Sequence, residues 1–249
     1  MGGVARPRLD QLLFDRGLFE SREKARRAVM AGLVEVEGRR VDKPGTAVSV
    51  EAVLRLVASG EPFVSRAGRK LAAALDRFGL DPAGLACLDV GASTGGFTDC
   101  LLQRGAARVV ALDVGYGLID ARLRADPRVT VIERVNARHL APDAFPVPFD
   151  LIVVDVSFIS VVKVAPALLP HLAAGGRLLA LIKPQFEVGR GAVGKGGIVR
   201  DEELRRRVVA ERAGELAGLG LALEGVFDSP VAGAEGNVEA FALLRRGAA

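Results

Sequence analysis

Apolar residues near the start of the chain first have helical spacing and then alternate. A first helix is predicted by Leu9, Leu12, Leu13 and Phe14, and it ends at Gly17. Ser21 is a preferred capping residue, so a second helix is predicted over residues 22–31. Val34-Glu35-Val36 then alternates like a strand, and after a turn at Gly38 the chain is expected to return along residues 41–50.

The rest of the chain alternates short apolar runs with helical patterns. The candidate strands are residues 86–90, 109–113, 129–133, 151–155, 178–182, 221–227 and 239–244. Strands that alternate with helices predict a parallel sheet covered by helices on both faces. Residues 51–65 look like a linker, with Ser59-Gly60-Glu61-Pro62 as the clearest break. We therefore expect one domain over residues 1–58, a linker over 59–65 and a second domain over 66–249.

Composition excludes several classes of protein. Half of the 249 residues are hydrophobic, which is enough for a sizeable core. The longest apolar stretch, residues 161–182, is interrupted by Lys163, Pro166, Pro170, His171 and Arg177, so it does not predict a membrane span. The first residues lack the apolar core of a signal peptide, and we expect a cytoplasmic protein. The two cysteines, Cys87 and Cys100, predict neither a metal site nor a disulfide framework and are expected to be small buried residues.

Positive charge is concentrated at the start of the chain. The net charge is +4, and the basic residues of this region are Arg6, Arg8, Arg16, Arg22, Lys24, Arg26 and Arg27. A basic helix beside a small hairpin can neutralise the phosphates of RNA. The alternative is an ordinary solvated surface, because Glu20, Glu23, Glu35 and Glu37 lie among the basic residues. Charge alone favours this second interpretation.

A glycine-rich loop follows the first strand of the second domain. The loop comprises Gly91, Ala92, Ser93, Thr94, Gly95, Gly96 and Phe97, and Asp89 precedes it within the strand. Glycines let the backbone turn sharply and approach a ligand at the carboxyl edge of a parallel sheet. Asp113 ends the next strand, where a carboxylate can accept hydrogen bonds from both hydroxyls of a ribose. The loop lacks the GxGxxG spacing, which argues against a dinucleotide, and a simple tight turn is the alternative.

A second glycine-rich segment, Gly189 to Lys195, resembles a phosphate-binding loop. Gly196 stands where such a loop needs Ser or Thr to bind magnesium. The segment also follows Lys183-Pro184-Gln185-Phe186-Glu187 instead of opening directly from a strand into a helix. We therefore expect a mobile lid over the substrate rather than a phosphate site.

Charged residues occupy positions where parallel-sheet enzymes carry their chemistry. Asp155 and Lys183 end two strands, Lys70 precedes the first strand, and Glu239 opens the last one. Taken singly, Lys70 is equally typical of a helix surface and Glu239 of an edge strand. Only the set of all four indicates a catalytic centre.

The start of the chain closely resembles the RNA-binding domain named after ribosomal protein S-four. The matching residues include Arg8-Leu9-Asp10, Gly17-Leu18, Ser21-Arg22 and Val41-Asp42-Lys43-Pro44. The resemblance implies binding to structured RNA. The candidate RNA contacts are Arg8, Arg22, Arg26, Arg27, Lys43 and Arg66.

The second domain resembles the TlyA (hemolysin A-like) family of rRNA 2′-O-methyltransferases. The resemblance runs in order through Val64–Leu71, Asp89–Thr98, Asp113–Gly117, Asn136–Arg138, Asp155–Ser160, Lys183–Glu187 and Gly236–Glu239. It implies a Rossmann-like S-adenosylmethionine methyltransferase domain with a seven-stranded, mostly parallel sheet, preceded by a small α+β RNA-binding domain. It also implies that the loop at residues 91–97, with Asp89, Asp113 and Asp155, binds S-adenosylmethionine, and that Asn136 contacts its adenine.

Lys70, Asp155, Lys183 and Glu239 resemble the Lys-Asp-Lys-Glu tetrad of ribose 2′-O-methyltransferases. A lysine acts as a base when its pKa is lowered, which burial and a neighbouring ammonium group both promote. We therefore expect Lys183 to take the proton of the ribose hydroxyl, with Lys70 as the neighbouring ammonium. Asp155 is expected to position Lys183 and the methyl donor. Glu239 is expected to orient Lys70 and the ribose.

The family resemblance implies a cytidine of ribosomal RNA as the target. The chain stops soon after its last strand, which is typical of the class that modifies only the large-subunit (23S) RNA. Three alternatives remain at this stage. They are a pseudouridine synthase, a membrane-active hemolysin, and a catalytically silent RNA-binding or ribosome-assembly factor. The sequence does not indicate the oligomeric state.

Overall fold

The chain divides into two units close to the predicted linker. The computed structural model describes residues 6–57, 62–189, 193–194, 196–233 and 235–248, and the boundary between the units lies between Arg66 and Ala67. We call the units the N-terminal unit and the C-terminal unit. Residues 59–61 of the predicted linker lie outside the described residues.

The N-terminal unit combines two helices with a three-stranded antiparallel sheet. Its elements are α1 (Leu9–Asp15), α2 (Arg22–Met30), β1 (Val34–Val36), β2 (Arg39–Arg40) and β3 (Leu54–Leu56), and the strand order is β2-β1-β3. Ser21 caps α2 as predicted, because its hydroxyl accepts a hydrogen bond of 3.2 Å from the amide of Lys24. Leu9, Leu13, Val29 and Val34 are fully buried in one core.

The predicted return strand over residues 41–50 is wrong. The strand that pairs with β1 on its second side is β3, which falls within the segment interpreted as a linker. Pro44 has no N–H to donate to a ladder. The backbone of this segment instead binds the start of the chain, where the amide of Leu9 donates to the carbonyl of Thr46 and the amide of Val48 donates to the carbonyl of Pro7.

The C-terminal unit contains the predicted seven-stranded, mostly parallel sheet. Its strands are β4 (Ala86–Val90), β5 (Arg108–Leu112), β6 (Val129–Ile132), β7 (Phe149–Val154), β8 (Leu172–Ile182), β9 (Leu221–Asp228) and β10 (Ala240–Arg246). The order is β6-β5-β4-β7-β8-β10-β9, and β10 runs antiparallel to both of its neighbours. The fold class is therefore confirmed. The main difference in bounds is β8, which begins at Leu172 rather than at residue 178.

Short and long helices cover this sheet. They are α3 (Ala67–Phe78), α4 (Gly96–Gln103), α5 (Ala121–Ala125), α6 (Ala165–Leu168), α7 (Pro184–Glu187) and α8 (Glu202–Ala217). The interior of the sheet is apolar, with Leu88, Ile152, Val154 and Ala180 fully buried in one cluster. Cys87 and Cys100 are buried, as predicted. No helix among the described residues is long and apolar enough to cross a membrane.

The strand order places a crevice at the carboxyl edge of the sheet. From β4 the chain passes through β5 and β6 to one side, whereas β7 and β8 extend the sheet on the other side. The order reverses between β4 and β7. Ligands of open α/β sheets bind outside the carboxyl ends of the strands at this kind of reversal.

Candidate active site

The predicted tetrad converges at the carboxyl edge of the sheet. Asp155 follows β7 and Lys183 follows β8. Because β10 is antiparallel to β8, with Ala240 opposite Ile182, Glu239 enters the sheet at the edge where Lys183 leaves it. Lys70 reaches the same edge from the first turn of α3, through its contact with Glu239.

Lys70 and Glu239 form a buried ion pair. The Nζ of Lys70 lies 2.6 Å from the Oε2 of Glu239, and the two side chains are only 7% and 3% exposed. The second carboxylate oxygen accepts a hydrogen bond of 3.4 Å from the amide of Gln185. A Cβ at residue 233 would lie 2.5 Å from this Oε1, so only glycine leaves room for the carboxylate. Three other segments of the chain therefore define the position of the Glu239 side chain.

Lys183 lies between a carboxylate and a hydroxyl. Its Nζ is 2.5 Å from the Oδ1 of Asp155 and donates a hydrogen bond of 2.9 Å to the Oγ of Ser157. The side chains of Lys183 and Asp155 are 11% and 16% exposed. A substrate hydroxyl can therefore reach this ion pair from solvent, whereas the pair formed by Lys70 is more deeply buried.

The glycine-rich loop packs directly against the end of β7. Gly91 has a φ of +87°, and a Cβ built on it would lie 2.3 Å from the carbonyl oxygen of Asp155. The amide of Asp155 donates a hydrogen bond of 2.9 Å to the carbonyl of Val90. The loop thus touches the backbone of the residue that holds Lys183. The rest of the predicted loop, residues 92–97, leads into α4, which begins at Gly96.

Asp113 and Asn136 lie on the other side of the loop. The Oδ2 of Asp113 accepts a hydrogen bond of 2.8 Å from the amide of Ser93, and its Oδ1 accepts one of 2.6 Å from the amide of Gly115. Each carboxylate oxygen has further lone pairs, so both can still accept ribose hydroxyls. Asn136 caps a single helical turn, with its Oδ1 accepting from the amide of Arg138 at 3.0 Å.

Asp89 is a buried carboxyl group beneath the loop. Its side chain has no exposed surface, and Oδ2 accepts a hydrogen bond of 2.7 Å from the hydroxyl of Thr98. Burial raises the pKa of Asp89 to about 7, the bond from Thr98 opposes this rise, and the nearby carboxylates of Asp155 and Asp113 add to it. Within the described part of the chain, its Oδ1 has no hydrogen-bond partner.

These residues fit S-adenosylmethionine, the group implied by the sequence resemblance. The donor carries an ammonium group and a sulfonium, and both favour the surroundings of carboxylates. The unpartnered Oδ1 of Asp89 is buried beneath the loop, so its attraction for such an ammonium group acts across the loop backbone. Asp113 offers the acceptors that a ribose needs, and Gly91 lets the loop pack against the carbonyl of Asp155.

The candidate RNA contacts lie in the N-terminal unit. Asp10 is almost fully buried and pairs with Arg8 at 3.1 Å and with Arg22 at 3.3 Å, while both arginines remain about half exposed. Burial alone would raise the pKa of Asp10, but the hydrogen bonds from the two arginines hold it below its ordinary value. Asp10 therefore orients two guanidinium groups at the surface.

The remaining basic candidates of this unit are also accessible to solvent. Arg26 and Lys43 are exposed, and Arg27 and Arg66 are half-buried. Arg26 makes a long contact of 3.8 Å with Glu23, whereas Arg66 pairs with Asp42 at 3.0 Å.

Sequence reasoning assigned no role to Thr98, Ser157 and Gln185. All three belong to segments that carried the family resemblance, but only the structure shows that they bind Asp89, Lys183 and Glu239 respectively. The lid predicted over residues 189–195 lies largely outside the described residues, which omit 190–192 and 195.

Comparison with known proteins assigns the family. A family model described as FtsJ-like methyltransferase matches residues 63–246, and one described as S4 domain matches residues 7–54. The 16S/23S rRNA (cytidine-2'-O)-methyltransferase TlyA of Mycobacterium tuberculosis is 49% identical over 241 residues, which are 96% of this chain and 90% of that protein. The chain belongs to the TlyA family of FtsJ-like methyltransferases.

Two further comparisons agree with membership of the TlyA family. The 23S rRNA (cytidine-2'-O)-methyltransferase TlyA of Campylobacter jejuni is 37% identical over 76% of this chain and 73% of its own length. The solved structure of a candidate hemolysin from Streptococcus thermophilus has a TM-score of 0.75 and 41% identity, and the match covers 98% of this chain and 90% of that one. Membership of the TlyA family excludes the pseudouridine synthase considered from the sequence.

Proposed function

We propose that the protein transfers a methyl group from S-adenosylmethionine to the ribose 2′-hydroxyl of a cytidine in ribosomal RNA. The observation that carries this proposal is the pair of lysine–carboxylate contacts at the carboxyl edge of the sheet, next to the glycine-rich loop. The names of the two TlyA relatives support both the cytidine and the 2′-oxygen. When bound, S-adenosylmethionine would supply an electrophilic methyl group, and its sulfur would keep the electron pair of the S–methyl bond that breaks.

In this proposal, Lys183 removes the proton of the 2′-hydroxyl as the oxygen attacks the methyl carbon. Asp155 holds the lysine nitrogen at 2.5 Å, so the amine is already in place when the hydroxyl arrives. Placing a nucleophile correctly beside its reaction partner can contribute roughly 7–11 kcal/mol toward the barrier. The carboxylate of Asp155 also stabilises the ammonium that forms on Lys183 after proton transfer.

Glu239 orients Lys70 and the ribose, and Lys70 serves as the ammonium group beside Lys183. Glu239 is held at one oxygen by Lys70 and at the other by Gln185, so it has a single position next to Lys183. A carboxylate held in this way can accept a hydrogen bond from a sugar hydroxyl, and the ammonium of Lys70 can donate one. Both groups therefore serve to position the substrate.

The methyl donor is held by the loop at residues 91–97 together with Asp89, Asp113, Asn136 and Asp155. Asp89 supports the loop from beneath and attracts the amino group of the donor, and Asp113 accepts from its ribose hydroxyls. Asn136 contacts the adenine. The contact between Gly91 and the carbonyl of Asp155 keeps the donor site next to the proton acceptor.

The N-terminal unit docks the ribosomal RNA through Arg8, Arg22, Arg26, Arg27, Lys43 and Arg66. The match to an S4 domain supports this part of the proposal, as does the display of two arginines by the buried Asp10. Arginine binds phosphate in a bidentate manner, and neutralised phosphates release counterions. Docking through the N-terminal unit holds the RNA during the reaction. The two lysines of the tetrad are largely buried and offer little positive surface to RNA.

We propose the large-subunit (23S) RNA as the substrate and the cytoplasm as the place of action. The 23S RNA is the substrate that the names of both TlyA relatives share, whereas only one of the names includes the 16S RNA. Ribosomal subunits that are available for modification are present in the cytoplasm.

The test is methyl transfer from labelled S-adenosylmethionine to unmodified large and small subunits, assayed separately with the wild type and Lys183→Ala. We expect label on the large subunit with the wild type and none with Lys183→Ala. Calorimetry should show that the variant still binds the methyl donor. Turnover that survives in Lys183→Ala would contradict the assignment of the base.

The remaining outcomes of the same test separate the other interpretations. Label on both subunits would extend the substrate to the 16S RNA. If neither subunit is labelled and the protein still binds the methyl donor, the result favours a catalytically silent RNA-binding factor. Leakage of liposomes by the purified protein would support the membrane-active alternative.

A further inference from the structure

The nitrogen of Lys183 has two contacts that come from one short segment. Asp155 and Ser157 both follow β7, and their side chains lie 2.5 Å and 2.9 Å from the Nζ. The carboxylate belongs to the predicted tetrad, but the hydroxyl does not. The hydroxyl of Ser157 therefore needs its own explanation.

Two contacts determine the orientation of an ammonium or amine group. A lysine nitrogen is tetrahedral and has three donor directions besides its bond to Cε. The hydrogen bond to Ser157 fixes the rotation of this group about the Cε–Nζ bond, and Asp155 adds an ion-pair contact at 2.5 Å that is not itself a hydrogen bond. The third direction, which carries the lone pair when Lys183 is neutral, is then fixed as well.

We propose that Ser157 is a positioning residue that works with Asp155 to aim the free direction of Lys183 at the ribose hydroxyl. This inference rests on the proposed role of Lys183 as the base. Ser157 acts through Lys183 and takes no proton in the net reaction. When Lys183 becomes an ammonium, the serine oxygen accepts one of its N–H groups, and the 2′-hydroxyl proton occupies the aimed position.

The segment that carries Ser157 is held against the segment that carries Lys183 at further points. The rings of Phe158 and Phe186 lie 5.1 Å apart between centroids. The amide of Val161 donates a hydrogen bond of 2.9 Å to Oε1 of Glu187. These contacts fix the distance between the backbone of Ser157 and that of Lys183, so a small side chain at residue 157 is sufficient to reach the nitrogen.

The backbone next to Ser157 adopts a costly conformation. The position of the Ser157 hydroxyl accounts for it. Phe158, the next residue, has a φ of +66°, a conformation that is costly for a bulky side chain. Strain of this kind persists where the surrounding contacts enforce it, and it is concentrated at functional sites. Here it turns the chain immediately after the hydroxyl that binds Lys183.

The experiment compares Ser157→Ala with Ser157→Thr, which keeps the hydroxyl. We expect kcat for methyl transfer to fall about tenfold in Ser157→Ala, with the KM values for the methyl donor and for large subunits within about twofold of the wild type. Ser157→Thr should restore most of kcat. Ser160→Ala, a hydroxyl lost from the same loop outside the tetrad contacts, is the matched control and should keep wild-type kinetics.

The outcomes separate this inference from the proposed function. An unchanged kcat in Ser157→Ala, while Lys183→Ala is inactive, would overturn the positioning role and leave the proposed function intact. A rise in KM alone would also overturn it, because it would indicate a binding contact. A loss of kcat that Ser157→Thr does not rescue would indicate a structural role for the serine and would likewise overturn it. Activity in Lys183→Ala would remove the base and this inference with it.

Discussion

The Nζ of Lys70 and the Oε2 of Glu239 meet at 2.6 Å although the two residues are 169 positions apart in the chain. One comes from the first helix of the C-terminal unit, and the other immediately precedes its last strand. The contact ties α3 to the carboxyl edge of the sheet, at the proposed catalytic centre. Because both side chains are buried, each charge depends on the other for its compensation.

Removal of one member of this pair should destabilise the protein as well as inactivate it. Glu239→Leu leaves the Lys70 ammonium buried without its partner, which costs about 3–5 kcal/mol of the free energy of unfolding. The double variant Lys70→Met with Glu239→Leu removes both charges and should be more stable than Glu239→Leu alone. Denaturant unfolding gives the free energy of unfolding of each protein. The proteins compared are the wild type, Glu239→Leu, Lys70→Met and the double variant. Additive losses would show that the two charges are not coupled.

Gly91 should be required for binding of the methyl donor. Gly91→Ala introduces strain at a φ of +87° and places a Cβ 2.3 Å from the carbonyl oxygen of Asp155. We expect at least about a tenfold loss of affinity for S-adenosylmethionine, measured by calorimetry. Gly84→Ala is the matched control, because Gly84 has a φ of +74° with nothing within 4 Å of its Cβ position. Equal effects of the two substitutions would refute the role of the close contact.

Asp89 should make stability depend on pH in a specific direction. Burial raises its pKa from 3.8 to about 7, so between about pH 4 and pH 7 the folded protein retains a proton that the unfolded chain releases. The contribution of this carboxyl to stability is therefore present below pH 4 and is lost as the pH rises to 7. Asp89→Asn removes this pH-dependent loss of stability. The side-chain oxygen of the asparagine can still accept the hydrogen bond from the hydroxyl of Thr98. The free energy of unfolding of the variant, relative to the wild type, should rise by up to about 4 kcal/mol from pH 4 to pH 7. A difference that does not change with pH would contradict the assignment.

Arg26 tests the RNA-binding surface of the N-terminal unit. It is about half exposed and only loosely paired with Glu23. Arg26→Glu should weaken binding to large subunits and should reduce the slope of log affinity against log salt by about one, as expected for a lost phosphate contact. Arg206→Glu on α8, where the arginine pairs with Glu202, is the control for a change of surface charge. An unaltered salt slope in Arg26→Glu would exclude this arginine as a phosphate contact.

Elements that depend on local patterns could be predicted from the sequence. The strands of the large sheet are apolar runs bounded by turns, and the loop after β4 has glycines at the carboxyl end of such a run. Asp155 and Lys183 follow directly from the ends of two strands. The prediction failed in the N-terminal unit, where β3 has only three residues and where only Val41 of the segment 41–50 bonds to β1, while Pro44, Thr46 and Val48 bond to residues 7–10.

Contacts that depend on tertiary structure could not be predicted in this way. No periodicity in the sequence brings Lys70 to Glu239; the family resemblance supplied both residues and the expectation that Glu239 orients Lys70, and the structure adds the burial and the distance of 2.6 Å. Ser157 and Gln185 are common polar residues without a diagnostic spacing. Their roles appear only when the ends of β7, β8 and β10 are seen at one edge of the sheet.

The identity of the methylated nucleoside tests the central claim most directly. Large subunits modified by the wild-type protein with labelled S-adenosylmethionine are digested to nucleosides and analysed by mass spectrometry. We predict 2′-O-methylcytidine, and a parallel alkaline digest should leave the label in a dinucleotide, because a methylated 2′-oxygen cannot cleave the chain. Label on the cytosine base would contradict the account, because methylation of the base removes no proton from a ribose hydroxyl.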